Sequence, residues 1–379
     1  MRYDLFGPGK EVSREKPIRL MHVDLDTIAA DGVQGKLHYG TLWLDPVCNL
    51  RCSYCATNPS NEDNYIPDGM TREQRRSWIQ EFAELGGKVI NINGEGEPGL
   101  DGNLQEYTEL MAELDIKLVL TTNGADFRSI YVGTNIRYAE FLRKHEVALN
   151  VKLHGLNEEE HNRLVGENAF RSTTDLLQRL IHAGYLDLIE ENENEIVTPI
   201  AIETIVTKET IGHLRDYLRF CRHYSFYPML DELVVAGRAD NDYWRSQVIS
   251  EAESRVVAEW FEEIMGYPVQ PITTNLCPAS TGVFFDSKGN LLIDKNGYCC
   301  DAFAETSDLK YPGMSLAEIW GKLKGIRQER EFSINKTVMS ILAERNDGYH
   351  LPMCPGMAAT QGEENEQRIN RAECSCHSN

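Results

Sequence analysis

Three cysteines near the amino terminus, Cys48, Cys52 and Cys55, have the spacing C-x3-C-x2-C. They follow directly on a short apolar run, residues 41–44, that is typical of a buried strand. Sites in α/β folds form at the carboxyl ends of the strands. We therefore expect the three thiols to converge on one loop at the functional face of the protein.

Three thiolates suit an iron–sulfur cube that leaves one iron without a protein ligand. Zinc is an alternative, but a structural zinc ion usually takes four ligands, and no histidine or fourth cysteine lies close by in the sequence. A thiol redox pair is a further alternative, for which C-x2-C alone would serve. The spacing favours an iron–sulfur cluster and leaves the other two open.

The triplet resembles the cysteine motif of the radical S-adenosylmethionine (radical SAM) superfamily, and the resemblance extends over roughly residues 40–236. It implies a [4Fe–4S] cluster whose open iron is filled by the amino and carboxyl groups of S-adenosylmethionine. Tyr54 is similar to the aromatic residue that precedes the last cysteine in this family. The resemblance implies that Tyr54 lines the adenine pocket.

A glycine-rich stretch, N-G-E-G-E-P over residues 93–98, follows the second predicted strand. It is similar to the GGE-type motif of the family, which meets the methionine amino group. Glycines let the backbone approach a ligand closely, and a carboxylate can pair with an ammonium group. The resemblance thus implies cofactor binding by Gly94, Glu95, Gly96 and Glu97.

Polar residues also follow or end the later predicted strands. The resemblance implies that such positions contact the ribose or carboxylate of S-adenosylmethionine, and the residues concerned are Asn123, Lys152 and Glu203. Each could equally be a satisfied polar group at a strand end. His154 is the candidate catalytic residue, and it faces either the substrate or the structural interior.

Six further cysteines lie near the carboxyl terminus: Cys277, Cys299, Cys300, Cys354, Cys374 and Cys376. They resemble the auxiliary-cluster extension called SPASM, or its shorter form, twitch. The C-x2-C-x5-C stretch of SPASM is absent, and two all-cysteine clusters would need eight ligands. We predict one auxiliary [4Fe–4S] cluster with ligands from these six, while a zinc site and two incompletely ligated clusters remain alternatives.

The elements that would position these groups alternate between short apolar runs and amphipathic stretches. Six strands are predicted, at residues 41–44, 88–93, 116–122, 147–153, 200–207 and 230–236. This alternation predicts an α/β fold with a parallel sheet, and the segment is shorter than the roughly 250 residues of a full eight-unit barrel. We predict a partial (β/α)6 TIM-like barrel.

The chain is expected to divide into an N-terminal extension (1–39), the partial barrel (40–240) and a C-terminal α+β auxiliary-cluster domain (241–379). A helix should begin after Thr71, which with Gln74 fits a capping box. Residues 282–294 are expected to form a β-hairpin of the C-terminal domain. Cys221 shares an apolar helical stripe with Leu214 and Leu218, and is expected to be a small buried hydrophobe.

The net charge of −21, from 59 acidic and 38 basic residues, argues against a nucleic-acid partner because such a surface repels phosphate. The sequence has no apolar run of 18 residues and no apolar segment near its start that is typical of a signal peptide. A cytoplasmic location without a membrane partner is the default expectation.

The resemblance implies an enzyme that reductively cleaves S-adenosylmethionine to a 5′-deoxyadenosyl radical, which then abstracts hydrogen from a substrate. The 39 residues before the first strand are too few for the leader-binding domain of many peptide-modifying relatives. A small polar metabolite (sugar, aminocyclitol or nucleotide-sugar) is therefore expected, with oxidation, epimerisation or elimination as the outcome, and flavodoxin or ferredoxin as reductant. The alternatives are a maturase of a ribosomal peptide, an activase of a partner enzyme, and a non-enzymatic electron carrier or zinc scaffold.

Overall fold

The computed structural model describes residues 5–10, 12–13, 15–60, 67–124, 138–166, 168–268, 282–291 and 309–329. The strands are β1 (Ile18–Leu20), β2 (Tyr39–Leu42), β3 (Val89–Ile92), β4 (Lys117–Thr122), β5 (Ala148–Lys152), β6 (Glu190–Glu191), β7 (Ile196–Thr198), β8 (Ile200–Val206), β9 (Tyr227–Glu232) and β10 (Gly282–Phe285). The helices are α1 (Leu25–Val33), α2 (Arg72–Glu84), α3 (Leu104–Glu113), α4 (Tyr138–Lys144), α5 (Glu158–Val165), α6 (Ala169–His182), α7 (Leu214–Tyr224), α8 (Asp242–Gln247), α9 (Glu251–Met265) and α10 (Leu316–Glu329). None of the described helices is long and apolar enough to cross a membrane.

Seven strands form one parallel sheet in the order β10-β2-β3-β4-β5-β8-β9. Six of them are the predicted strands, with ends shifted by a few residues, and helices connect them in the βα pattern. The prediction of an α/β fold built as a partial TIM-like barrel is confirmed. The parallel register brings all the carboxyl ends to one edge, where Lys152 of β5 pairs with Glu203 of β8.

The place of the seventh strand in this sheet was not predicted. The expected hairpin at residues 282–294 does not account for one pairing: Gly282–Phe285 lies parallel to β2 at the edge of the barrel sheet. All four residues of β10 are buried, which suits a strand covered on both faces better than a half-exposed hairpin. The described part of the hairpin is an antiparallel bridge between Phe285 and Leu291 around the predicted turn, and residues 292–294 lie outside the described residues. The chain thus returns to the barrel beyond the predicted boundary near residue 240, and that boundary stays a prediction.

The outer helices bury their apolar stripes against the sheet. The predicted capping box of α2 is present, since Gln74 N donates to Thr71 Oγ1 at 3.3 Å and Thr71 N donates to Gln74 Oε1 at 2.8 Å. Trp78 and Phe82 of the same helix stack with ring centroids 5.3 Å apart, and both are fully buried in the main core. Cys221 is also fully buried there, as predicted.

A smaller apolar cluster fills the inside of the sheet towards the amino ends of its strands. Four consecutive strands contribute to it, together with the N-terminal segment that forms β1 and α1, and its buried members are Leu20, Val23, Ile28, Val89, Val119, Ala148 and Ala201. The N-terminal extension therefore closes this end of the barrel. The polar residues of the candidate site lie at the opposite end of the barrel, where the strands have their carboxyl ends.

Candidate functional site

The loop that follows β2 carries the three predicted cysteines at the carboxyl end of the sheet. Cys48 N donates to Ser60 O at 3.0 Å, and Cys55 O accepts from Arg238 N at 2.8 Å. Glu97 N donates to Val47 O at 2.7 Å, which joins the glycine-rich loop to the same segment. The cysteine loop is therefore held by the chain that follows β3 and by the chain that follows β9.

The three thiols are half-buried and form no disulfide with one another or with any other described residue. Burial, with a smaller contribution from the Glu97 carboxylate, raises the pKa of Cys48 to about 12. Burial also raises the pKa of Cys52 to about 11, although the charge of Lys152 opposes it. Burial acts in the same direction on Cys55, but hydrogen bonds from Thr57 and the charge of Arg238 outweigh it and lower its pKa.

Glu97 ties the ends of two strands together. Its Oε1 atom accepts from Thr122 Oγ1 at 2.7 Å and from Gly99 N at 3.0 Å, and its Oε2 atom accepts from Asn123 N at 2.8 Å. Burial raises the pKa of Glu97, and these hydrogen bonds act against that rise. The buried carboxylate is thus engaged on both oxygens by the protein itself.

The two glycines of this motif stand where no side chain fits. A Cβ atom on Gly94, whose φ is +119°, would lie 2.3 Å from the indole ring of Trp43. A Cβ atom on Gly96 would lie 2.4 Å from Val47 O and 2.5 Å from Asp45 O. The glycines therefore let this loop pack directly on the cysteine loop.

Glu95 is hydrogen-bonded to Ser287, a residue that the sequence did not indicate as part of the site. Its Oε2 atom accepts from Ser287 Oγ at 2.5 Å, in the turn that follows β10. Burial raises the pKa of Glu95, and the Ser287 bond opposes the rise. No pattern in the sequence signals this contact, since the two residues are 192 positions apart.

Asn123 also reaches the cysteine loop. Its Nδ2 atom lies 3.7 Å from Cys48 Sγ and donates to Asn49 Oδ1 at 3.3 Å. The structure thus brings the end of β4 next to the first cysteine, where the sequence placed a cofactor contact.

Tyr54 and His154 form a buried pair. The hydroxyl of Tyr54 is hydrogen-bonded to His154 Nε2, and the two rings meet edge to face with centroids 4.8 Å apart. His154 Nδ1 lies 3.3 Å from Thr204 Oγ1 and accepts from Ile205 N at 3.4 Å. Burial lowers the pKa of His154 far below its usual value, so the ring is neutral. His154 has no exposed surface and both ring nitrogens are bonded within the protein.

Lys152 and Glu203 belong to a polar group on the inner side of β5, β8 and β9, which we call the inner polar cluster. Its members are Asn150, Lys152, Glu203, Met229 and Asp231. Lys152 Nζ lies 3.3 Å from Glu203 Oε1, and Asn150 Nδ2 donates to the other carboxylate oxygen and lies 3.1 Å from Met229 Sδ.

The charges of the inner polar cluster act on one another and on the cysteine loop. Burial, and to a lesser degree the neighbouring Asp231, raise the pKa of Glu203 to about 7 against the opposing charge of Lys152. Burial alone would lower the pKa of Lys152, but the carboxylates of Glu203 and Asp231 hold it above its usual value. The positive charge of Lys152 also acts to lower the pKa of Cys52. Asn150, Met229 and Asp231 were missed because nothing in their local sequence marks them.

The model of the Radical SAM superfamily matches residues 45–221, a segment that contains the three cysteines, the glycine-rich loop, Asn123, the Tyr54–His154 pair and most of the inner polar cluster. Residues 45–221 are a radical SAM superfamily domain. The match identifies an enzyme and implies a [4Fe–4S] cluster and S-adenosylmethionine as its cofactors, as predicted. The non-enzymatic alternatives are thereby set aside.

Curated relatives match most of the chain at low identity. GTP 3′,8-cyclase of Haemophilus ducreyi is 25% identical over 267 residues, which are 69% of this chain and 70% of that protein. GTP 3′,8-cyclase of Pasteurella multocida is 24% identical over 299 residues, 72% of this chain and 82% of that protein.

Solved structures share the fold of the radical SAM domain. Streptococcus suis SuiB bound to S-adenosylmethionine has a TM-score of 0.55 at 17% identity, over 76% of this chain and 66% of that one. Native anSMEcpe with bound AdoMet has a TM-score of 0.51 at 16% identity, over 74% of this chain and 80% of that one. At these identities the likeness establishes the fold alone.

The residues present fit the cluster that the radical SAM domain implies. Thiolates are the usual ligands of iron–sulfur clusters. The domain carries three free cysteines on one loop. The loop is closely supported, since a Cβ atom on Gly96 or Gly237 would lie 2.4 Å from one of its carbonyl oxygens. Cys48 and Cys52, whose thiols are protonated at neutral pH, would release their protons on binding iron.

The remaining predicted ligands lie outside the described residues. These are Cys277, Cys299, Cys300, Cys354, Cys374 and Cys376. The auxiliary cluster and the SPASM or twitch character of the C-terminal part therefore stay predictions.

Proposed function

We propose that this radical SAM enzyme abstracts a hydrogen atom from a small polar metabolite, namely a sugar, an aminocyclitol or a nucleotide-sugar. The bound cofactors supply the 5′-deoxyadenosyl radical that removes the hydrogen. Oxidation, epimerisation or elimination follows. The chain itself must bind the substrate, orient it and hold or move its protons.

The proposal depends on one observation, namely that the inner polar cluster contains buried acceptor atoms that lack donors. Asn150 Oδ1 is buried and has no hydrogen-bond partner among the described residues, and the buried Asp231 Oδ1 has none there except the carboxyl group of Glu203 when that group is protonated. Both atoms are acceptors, so a ligand with hydroxyl or amino groups would satisfy them. An apolar ligand would leave each acceptor unpaired at a cost of about 1–3 kcal/mol.

The charges of the cluster support the same substrate class. Two carboxyl groups, Glu203 and Asp231, surround the single ammonium of Lys152. Glu203, with a pKa of about 7, can accept or release a proton at neutral pH. We propose that Lys152 orients this carboxyl group, and that Glu203 exchanges a proton with a substrate hydroxyl or amine.

Cofactor binding is assigned as predicted from the sequence, except that Lys152 and Glu203, which were expected to contact S-adenosylmethionine, are assigned here to the substrate. We propose that Cys48, Cys52 and Cys55 ligate the cluster, and that the backbone of Gly94–Glu97, Asn123 and the Tyr54 ring lie against S-adenosylmethionine. The direct contacts of the glycine-rich loop and of Asn123 with the cysteine loop support this assignment.

A nucleotide-type substrate is consistent with the names of the relatives, which are GTP 3′,8-cyclases. A peptide substrate is the second candidate, since Streptococcus suis SuiB, which has a similar fold, is bound to precursor peptide SuiA in one solved structure. A flavodoxin or ferredoxin as reductant, a cytoplasmic location and one auxiliary [4Fe–4S] cluster complete the proposal. Total iron of about eight atoms per chain would support the auxiliary cluster, and about four would refute it.

A substrate screen tests the proposal. The anaerobically reconstituted full chain is incubated with S-adenosylmethionine, dithionite and sets of sugars, aminocyclitols, nucleotide-sugars, nucleotides or peptides, and 5′-deoxyadenosine and substrate products are measured. A product from one of the small polar sets, lost in Glu203→Gln and Asp231→Asn, is expected. Turnover of a peptide but of no small molecule would overturn the proposed substrate class.

A further inference from the structure

Arg238 follows β9 and lies against the cysteine loop. Its backbone N donates to Cys55 O at 2.8 Å, and its carbonyl oxygen accepts from Asn241 Nδ2 at 2.9 Å. The preceding Gly237 has a φ of +55°, and a Cβ atom there would lie 2.4 Å from Ala56 O. The turn that carries Arg238 is therefore fixed directly on the segment that contains Cys55.

Two nitrogen atoms of the Arg238 guanidinium are not used in hydrogen bonds to the described residues. Its Nε and Nη1 atoms are buried, and neither has a hydrogen-bond partner in the part of the chain that the structure describes. Buried donors of folded proteins are almost always paired, and a buried charge without a counter-charge is costly. Arg238 as a whole is partly exposed, and an anion bound at the cysteine loop would give these two buried donors a partner.

Arg238 is one of two cationic residues near the cysteine loop, since its backbone is bonded to Cys55. Lys152, the other cation near the loop, already forms an ion pair with Glu203, whereas no described carboxylate lies within ion-pair distance of Arg238. Arg238 therefore supplies a positive charge that no described carboxylate neutralises.

We propose that Arg238 raises the reduction potential of the [4Fe–4S] cluster held by Cys48, Cys52 and Cys55. Reduction adds one negative charge to the cluster, and a fixed cation nearby stabilises the reduced form more than the oxidised form. Net charge and hydrogen bonds to the sulfur atoms are among the features that set such potentials. The inference depends on the cluster of the radical SAM domain and not on the identity of the substrate.

The test is a redox titration of the reconstituted full chain without S-adenosylmethionine, followed by EPR. The signal of this cluster is the one that Cys48→Ala removes. At a fixed potential, Arg238→Gln is expected to lower the ratio of reduced to oxidised cluster about tenfold, which for one electron is 59 mV. Arg238→Lys should recover part of the difference because it keeps the charge.

Arg245→Gln is the matched control. Arg245 lies on the next helix, half its side-chain surface is exposed, and Asp240 and Asp242 already neutralise it. Its replacement should leave the potential unchanged. An unchanged potential in Arg238→Gln would overturn the proposal, and if the affinity for S-adenosylmethionine falls in that variant instead, the anion is the carboxylate of that ligand.

Iron content is measured first for each variant. If Arg238→Gln does not assemble the cluster, Arg238→His replaces it in titrations between about pH 5 and pH 8, where an imidazole loses its charge. A potential that falls with rising pH more steeply than in the wild type supports the proposal. A pH dependence equal to that of the wild type overturns it.

Discussion

The hydroxyl of Tyr54 is hydrogen-bonded to Nε2 of the buried His154, across 100 positions of the sequence. One partner lies between two cluster cysteines, and the other directly follows β5. His161 stacks on His154 with ring centroids 5.8 Å apart, and His213 is bonded to its carbonyl oxygen at 2.9 Å. We infer that His154, the candidate catalytic residue, orients Tyr54 from behind the cysteine loop.

Tyr54→Phe is expected to destabilise the protein by about 1–3 kcal/mol, because it leaves His154 Nε2 buried without its partner. His154→Phe removes the other half of the pair. If the two residues act through one hydrogen bond, the double variant should lose less stability than the sum of the single losses. Urea unfolding measures the losses, and additive effects would contradict the pairing.

Binding of S-adenosylmethionine should weaken in the same two variants. The reason is that the Tyr54 ring is no longer fixed beside the last cysteine. Equilibrium binding to the reconstituted protein measures the change. Equal affinity in the wild type, Tyr54→Phe and His154→Phe would count against an orienting role.

Glu97→Gln is expected to lower the free energy of unfolding by about 2 kcal/mol, because three donors face its carboxylate and a glutamine amide presents hydrogens to one of them. Glu95→Gln is the control, since Ser287 can still donate to a glutamine oxygen. Thermal or urea unfolding compares the two. A larger loss in Glu95→Gln would show that Glu97 does not join the strand ends.

Glu203 makes stability depend on pH in a defined direction. Its pKa is about 7 in the folded protein, above the 4.5 of an unperturbed carboxyl group, so the folded state retains a proton that the unfolded chain has lost. The stabilisation is full below about pH 4.5 and is lost as pH rises towards about 7. Between about pH 5.5 and about pH 8, wild type should lose about 2 kcal/mol more than Glu203→Gln. Parallel pH profiles of urea unfolding for the two proteins would contradict this.

Gly96→Ala is expected to separate the glycine-rich loop from the cysteine loop, because its Cβ atom would lie 2.4 Å from Val47 O. Overpacking of this kind costs about 1–3 kcal/mol, and iron bound by the cysteine triplet should fall with it. Gly102→Ala is the matched control, since nothing lies within 4 Å of a Cβ atom there. Iron analysis after reconstitution measures the effect. A wild-type iron content in Gly96→Ala would show that cluster binding does not require the close contact of the two loops.

Features encoded within a few residues could be predicted from the sequence. The cysteine spacing, the capping box of Thr71 and Gln74, and the six apolar strands are of this kind, because each depends on neighbours in the chain. The place of β10 in the barrel sheet could not be predicted, since residues 282–285 pair with β2 more than 240 positions earlier. Asp231 and Ser287 escaped notice for the same reason: they meet their partners, Glu203 and Glu95, only in the folded chain.

The central claim is that Cys48, Cys52 and Cys55 make this chain a radical SAM enzyme. The most direct measurement is formation of 5′-deoxyadenosine from S-adenosylmethionine by the anaerobically reconstituted protein with dithionite. Wild type should form it, and the variants Cys48→Ala, Cys52→Ala and Cys55→Ala should form none. No 5′-deoxyadenosine from wild type with intact clusters, or its undiminished formation by the three variants, would contradict the claim.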